Sequence, residues 1–207
     1  MHPHSKINKI IWLVIAIAVI ALGYFFFKNK EVADPMDKVN IVEDVIPKGK
    51  SGMSLYENYL YSFKFEYPEN LYMKESEATD PNKSQFSLVL VEGTKENIEL
   101  IEGRFEGAGR EGPTTITLNV YNNAKKLTGE QWAKQDGNWN IGSKQISIAT
   151  AGGLQGVAYT WSGLYEGERV IITKGGEVYV FTVTWITPED QILKDFDMIL
   201  KSFAFVE

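Results

Sequence analysis

The hydrophobic positions of this chain follow two periods, and each predicts its own kind of element. Between residues 61 and 67, aromatic side chains alternate with polar ones up to Pro68, which is the pattern of a half-buried strand. The strand at 177–185 is apolar on both faces, which predicts a central position covered on both sides. Further strands are predicted over 86–92, 114–122, 144–150, 155–164 and 169–174.

Two helices are predicted from their start signals. Thr128 is placed as an N-cap, with Gln131 completing a capping box. For the last helix, Thr187 is predicted as the N-cap and Pro188 as the first helical residue. An apolar stripe at helical spacing follows, formed by Ile192, Phe196, Ile199 and Phe203. Together these patterns predict an antiparallel β-sheet packed by helices, class α+β.

A longer apolar run precedes this domain and predicts a membrane anchor. Ile10 to Phe27 are eighteen consecutive uncharged residues. As a helix they span about 27 Å, which is close to the ~30 Å hydrocarbon core of a bilayer. Trp12 lies near one end, where aromatic rings prefer the interface. A cleaved signal peptide is the alternative, but the apolar run continues past Gly23, where cleavage would be expected.

The flanking charges favour, by a small margin, a domain outside the cytoplasm. The short basic N-terminus favours the cytoplasmic side, while Lys28 and Lys30 reduce the bias. We therefore expect a single-pass protein of the cell membrane. Its predicted parts are a cytoplasmic segment (1–9), a transmembrane anchor (10–27), a flexible linker (28–54) and an extracytoplasmic domain (55–207).

Composition restricts what the domain can do. The first thirty residues carry four lysines and no acid, which leaves 17 basic and 27 acidic residues and a net charge of −10 beyond them. Nucleic acid and anionic lipid surfaces are poor partners for that overall charge. Both histidines precede the anchor and cysteine is absent. A histidine-assisted triad, a cysteine nucleophile and a His/Cys zinc site are therefore excluded from the domain.

Two segments resemble the PsbP-like family, which includes a photosystem II extrinsic subunit and its bacterial relatives. The segment from Tyr61 to Pro68 is similar to the family's aromatic opening strand, and Ile199 to Phe205 is similar to its closing helix with a Ser-Phe signature. The resemblance extends over about residues 56–207. It implies an α/β/α sandwich around an antiparallel sheet, and a role in binding rather than catalysis. Metal-binding histidines of the plant subunit have no counterpart here.

Two motifs resemble ligand sites but lack the required context. The glycines at 107, 109 and 112 match G-x-G-x-x-G, yet a strand-like segment follows where a dinucleotide site needs a helix. The segment from Asp136 to Asn140 resembles the start of a calcium loop, but Ile141 occupies its glycine position. We predict no cofactor, nucleotide or metal. The long loop from 102 to 113 is instead the candidate partner-binding segment, through Arg104, Phe105 and Arg110.

The sequence favours a non-catalytic binding or assembly module held at the membrane, with a membrane or envelope protein as its partner. One alternative is a carboxylate-dependent hydrolase of envelope polymers, which would use Glu166 with Glu168, or Glu189 with Asp190. Another is a carrier of a small ligand or lipid. Trp139, Trp161 and Trp185 are candidates to line a groove, although core packing is the stronger expectation for the last two.

Overall fold

Strands dominate the domain. The computed structural model describes residues 52–77, 84–104, 111–135, 137–140 and 146–206. The strands within these ranges are β1 (Met53–Asn58), β2 (Phe63–Pro68), β3 (Leu71–Glu77), β4 (Phe86–Glu92), β5 (Ile116–Asn122), β6 (Ser147–Ala151), β7 (Leu154–Ser162), β8 (Glu166–Lys174), β9 (Glu177–Trp185) and β10 (Ala204–Phe205). The helices are α1 (Lys95–Ile101), α2 (Gly129–Ala133), a 3₁₀ helix (Gly137–Asn140) and α3 (Gln191–Ser202).

The strands form two antiparallel sheets. The larger sheet has the order β3-β4-β5-β9-β8-β7-β6, and the smaller one has the order β1-β2-β10. The central position predicted for β9 is confirmed, since it is the fourth of seven strands and Val178 to Val183 are buried in succession. The predicted class, an antiparallel sheet packed by helices, is likewise confirmed.

The main core lies on the first face of the large sheet, where the small sheet and α3 pack. Phe63 and Phe65 of β2 are almost fully buried there against Phe86, Phe181 and other apolar residues of the large sheet. The helix contributes the stripe expected from the sequence, because Ile192, Phe196, Ile199 and Phe203 are all buried in this core.

A smaller core lies on the second, opposite face, beneath α2 and the 3₁₀ helix. Ala133 of α2 packs there with Tyr159, Trp161 and Ile171. The capping box predicted for α2 is confirmed, because the Gln131 amide donates to the Thr128 hydroxyl (3.2 Å) and the Thr128 amide donates to the Gln131 side chain (2.9 Å).

The start predicted for the last helix is wrong. α3 begins at Gln191 with Asp190 as the cap residue, three residues later than Thr187 predicts. The Asp190 carboxylate accepts hydrogen bonds from the amides of Ile186 (2.7 Å) and Thr187 (3.1 Å) and from the Thr187 hydroxyl (2.7 Å). These bonds close residues 186–190 into a turn before the helix starts.

Within the ranges that the structure describes, no helix is both long and apolar enough to cross a bilayer. The predicted anchor, including Ile10, Trp12 and Phe27, lies outside those ranges.

Candidate functional site

The first candidate is the start of the loop predicted to bind a partner. Arg104 is exposed and follows α1, and its amide donates to the Glu99 carbonyl (2.9 Å). The end of α1 is tied to edge strand β3, because the Tyr72 hydroxyl donates to Glu102 (2.8 Å) and the Lys74 ammonium donates to the Ile101 carbonyl (2.9 Å). The Tyr72 hydrogen bond, with help from the Lys74 charge, lowers the pKa of Glu102.

The other described end of this loop lies against the turn between β7 and β8. There the Tyr165 hydroxyl donates to the Gly112 carbonyl. Phe105 and Arg110 lie outside the described residues. Of the three residues predicted to contact a partner, Arg104 alone has a described position: its backbone amide is bonded to α1, and its side chain is exposed.

The second candidate is an arginine set among aromatic rings on the second face. The Arg169 guanidinium donates to the Thr182 hydroxyl (3.2 Å) and the Tyr159 hydroxyl (3.4 Å), and its Cζ lies 5.3 Å from the centroid of Trp161. Burial lowers the pKa of Arg169, which still stays protonated. Because these partners use several of its donors, the residue holds the sheet face together rather than presenting an open anion site.

The three tryptophans that are candidates to line a groove lie on two different faces of the sheet. Trp139 packs edge-on against Tyr159 (5.4 Å between centroids), which also contacts Trp161 (6.1 Å), so these two tryptophans share the second face. Trp185 packs against the core of the first face. Trp161 is buried, as its place on a strand face predicts, whereas Trp185 is half-buried.

The carboxylates proposed for hydrolysis lie in different surroundings, and Glu189 is exposed. Burial, and then the charge of Asp197, raises the pKa of Glu168, whereas Glu166 is exposed and accepts a hydrogen bond from Ser162 (2.7 Å). The hydrogen bonds from residues 186 and 187 lower the pKa of Asp190.

One pocket of about 330 Å³ does gather carboxylates, from Glu92, Asp190 and Asp195. Asp195 accepts a hydrogen bond from Gln191 (3.0 Å). Glu168, whose pKa is raised, is not among its lining residues. Of the two acid pairs predicted for hydrolysis, this pocket contains Asp190 alone. Among the described residues, no group of three or more possible ligands is arranged to hold a metal ion.

The third candidate is the groove beside edge strand β6. It has a volume of about 520 Å³ and lies between the segment from Lys126 to Glu130 and the strands β6, β7 and β8. Ile148 of β6 lines it and is 74% exposed. In the described part of the chain, β6 pairs with β7 on one side and has no strand on the other.

The backbone of β6 offers hydrogen-bonding groups on that unpaired side. The turn that joins β6 to β7 has positive φ at both Gly152 and Gly153 (58° and 73°), as in a two-residue type I′ turn. The two residues that flank such a turn, here Ala151 and Leu154, form a hydrogen-bonded pair. Hydrogen-bonded and non-hydrogen-bonded pairs then alternate along the two strands, so Thr150 and Ile148 belong to non-hydrogen-bonded pairs. The amides and carbonyls of Ile148 and Thr150 therefore point away from β7.

The sequence predicts a strand near β6 but not that it forms an edge of the sheet. A signal was present, because the 21 residues from Gln145 to Tyr165 carry no charged side chain. Natural edge strands are usually protected by charge, proline or a covering segment. The edge position itself depends on strand pairing across the whole domain, which the local pattern does not encode.

Comparison with known proteins identifies the architecture as that of a PsbP-like α+β domain. The solution structure of cyanobacterial PsbP (CyanoP) from Synechocystis matches with a TM-score of 0.51 at 12% identity, over 77% of this chain and 95% of that one. The crystal structure of LpqN from Mycobacterium tuberculosis, described as involved in cell envelope biogenesis, gives a TM-score of 0.39 at 15% identity, over 80% of this chain and 97% of that one.

The sequence matches no family model and no curated protein. The assignment of fold therefore rests on the cyanobacterial structure, and it confirms the resemblance to PsbP-like proteins at the level of the fold.

Proposed function

We propose that this chain is a single-pass membrane protein whose extracytoplasmic domain binds a membrane or envelope protein by pairing strand β6 with an extended segment of that partner. The uncharged run from Ile10 to Phe27 supports the anchor. Tethering confines the domain near the bilayer and raises its effective concentration for partners in the same membrane. Binding of this kind needs no cofactor, nucleotide or catalytic group.

The observation that carries the proposal is the uncharged edge of β6. Its five residues, Ser147 to Ala151, contain no charge and no proline, and outward-facing backbone groups alternate along it. Strand addition uses such main-chain groups for affinity and neighbouring pockets for specificity. The groove beside Ile148 supplies the pocket, and it suits an apolar or β-branched side chain of the incoming strand.

The opposite edge of the same sheet differs. β3 carries Lys74 and Glu75 in its middle, and its second face is tied to the end of α1 through Tyr72 and Lys74. Charged edges of this kind resist pairing with other strands. We expect Arg104, an exposed cation at the end of α1, to form an accessory contact.

A photocrosslinking amino acid at position 148 of the full chain, in its native membranes, tests the proposal. We expect capture of one defined protein, with the crosslink mapping to an extended segment of that partner. The matched control carries the same amino acid at Glu75, which is exposed on the other edge strand. Equal capture from both positions, or crosslinks scattered over the partner, would contradict strand pairing at β6.

A further inference from the structure

One end of the domain combines exposed apolar side chains with lysines. We call it the hairpin end, because it is where β8 turns into β9 at Gly175 and Gly176. The turn between β1 and β2 lies at the same end and exposes Tyr59 (80%) and Leu60 (72%). Tyr59 and Leu60 are neighbours in this turn and together present apolar surface to solvent.

Several contacts hold that apolar tip beside the hairpin end of the large sheet. The Tyr179 hydroxyl of β9 lies 3.1 Å from the Tyr61 carbonyl, and the Tyr61 ring packs against Phe86 (5.4 Å). The Phe205 ring lies 5.0 Å from Tyr179 and beneath the Lys174 ammonium, which is 3.9 Å from its centroid. The tip and Lys174 therefore belong to one rigid surface.

Two more lysines are fixed at this end. The Asn123 amide donates to the Gly176 carbonyl (2.7 Å), and the Lys126 amide donates to the Asn123 carbonyl (2.8 Å), so the loop carrying Lys125 and Lys126 is held against the hairpin. Lys126 and Lys174 line one pocket of about 440 Å³. Two acids lie nearby: Glu57 accepts the Tyr59 hydroxyl (2.8 Å), and Glu177, which accepts the Tyr179 hydroxyl (2.6 Å), lies opposite Lys174 and lines the same pocket. The three lysines therefore exceed these two acids by one charge.

The acids at the far end of the sheet are too distant to cancel these lysines. Glu166 and Glu168 begin β8, and Asp190 follows β9. Eight residue steps along β8 correspond to about 26 Å, whereas the Debye length at physiological salt is about 8 Å. The net charge of −10 in this part of the chain, which predicts repulsion from anionic surfaces, therefore does not describe the hairpin end.

We propose that the hairpin end docks on the anionic surface of a bilayer, with Tyr59 and Leu60 entering the interface and Lys125, Lys126 and Lys174 facing the lipid phosphates. Aromatic residues favour that interface, and clustered lysines are attracted to anionic lipid. The 25 residues between the predicted anchor and Met53 reach about 80 Å when extended, which is ample for the domain to present either end to the membrane. This docking relies on the proposed membrane attachment but not on strand pairing at β6.

The chain contains no cysteine, so a single introduced cysteine reports one position. We would place an environment-sensitive fluorophore at Leu60→Cys and, as a matched control, at Leu164→Cys, which is equally exposed at 72% but lies at the far end of the sheet. The full chain is reconstituted in vesicles of phosphatidylcholine, with or without phosphatidylglycerol. Both leaflets have the same composition, and acrylamide and salt are present on both sides of the vesicle membrane, so the orientation of insertion does not affect the result.

The expected result is a blue shift and a loss of acrylamide quenching at position 60 in the phosphatidylglycerol vesicles alone, reversed by 1 M salt. Position 164 should remain accessible throughout. Lys125→Glu with Lys126→Glu should abolish the shift. Lys95→Glu with Lys194→Glu changes the net charge equally at the far end and should leave the shift intact. Circular dichroism checks that both double variants are folded.

The proposal is wrong if position 60 stays accessible in both kinds of vesicle, if position 164 is shielded equally, or if the two double variants behave alike. A tip that becomes shielded only when native membrane proteins are included would likewise overturn it, in favour of a protein contact. Flotation of the chain with phosphatidylcholine vesicles reports the anchor separately, so a failed anchor and a failed docking surface are distinguishable.

Discussion

Gly167 lies opposite Trp161 on neighbouring strands, and the indole occupies the space where a side chain at position 167 would stand. A Cβ added to Gly167 would come within 2.1 Å of Trp161 Cζ2. The missing side chain lets the indole lie over β8, where it meets the guanidinium of Arg169. One glycine thus makes room for the arginine–aromatic cluster of the second face.

Gly167→Ala should therefore destabilise the domain, because the buried indole has to move. Overpacking of this kind costs about 1–3 kcal/mol of unfolding free energy. Gly163→Ala is the matched control, since its nearest neighbour is the Tyr165 carbonyl at 3.8 Å. Chemical denaturation followed by tryptophan fluorescence measures both variants. Equal stability of the two would show that the Trp161 site tolerates displacement.

Glu168→Gln should stabilise the domain at neutral pH. Burial and the charge of Asp197 raise the pKa of Glu168 above its ordinary value of 4.5. The folded state therefore holds this proton more tightly than the unfolded chain does, and stability falls as the pH rises from 4.5 through the raised pKa. Because an amide side chain does not ionise, the Glu168→Gln variant does not lose stability in this way as the pH rises. Thermal midpoints of the two proteins should be close at pH 4.5 and should separate towards pH 7.5.

A parallel pair of stability–pH curves would contradict that account of Glu168. Glu166→Gln removes one negative charge from the exposed neighbour on the same strand face and controls for the general effect of charge.

Asp190→Asn should have the opposite dependence on pH. Hydrogen bonds from the Ile186 amide and from Thr187 lower the pKa of Asp190 below its ordinary value of 3.8. The Asp190 carboxyl binds its proton more tightly in the unfolded chain than in the folded one. The ionised carboxylate therefore stabilises the folded state above pH 3.8, and this stabilisation is lost as the pH falls through the lowered pKa. The variant should be less stable than the native chain at pH 7, and the difference should shrink on acidification below pH 4. A difference that does not change with pH would indicate that the carboxylate charge is unimportant in this turn.

The sequence pattern predicts the parts of the fold in which local and tertiary preferences agree. The strand at 177–185 and the stripe ending at Phe203 are confirmed because an apolar period directly reports which faces are buried. The start of α3 is mispredicted because Thr187 and Asp190 are both good capping residues. The carboxylate at 190 accepts three hydrogen bonds from the preceding turn, which local preference alone does not reveal.

Other elements and the candidate sites carry little local signal. No residue of α1 is buried, so it has no apolar stripe to detect, and the apolar alternation of edge strand β3 is interrupted by charge. The positions of Arg169 and Ile148 depend on which strands are neighbours in the sheet. The candidate loop is predicted from its glycines and arginines, and the structure describes Arg104 at its start.

The most direct test of the central proposal is a pair of proline substitutions in β6. Proline removes one amide donor and is tolerated at an edge when that amide faces outward. The Thr150 amide points to the free edge, whereas the Ala149 amide belongs to the ladder with β7. Each substitution is made in the full chain that carries the photocrosslinking amino acid at position 148, and the captured partner and the thermal midpoint are measured together.

We expect Thr150→Pro to keep the thermal midpoint close to that of the parent chain and to lose the captured partner. Ala149→Pro should lower the midpoint, because it breaks a bond to β7. Undiminished capture by a folded Thr150→Pro chain would contradict the proposal that the partner pairs with the backbone of β6.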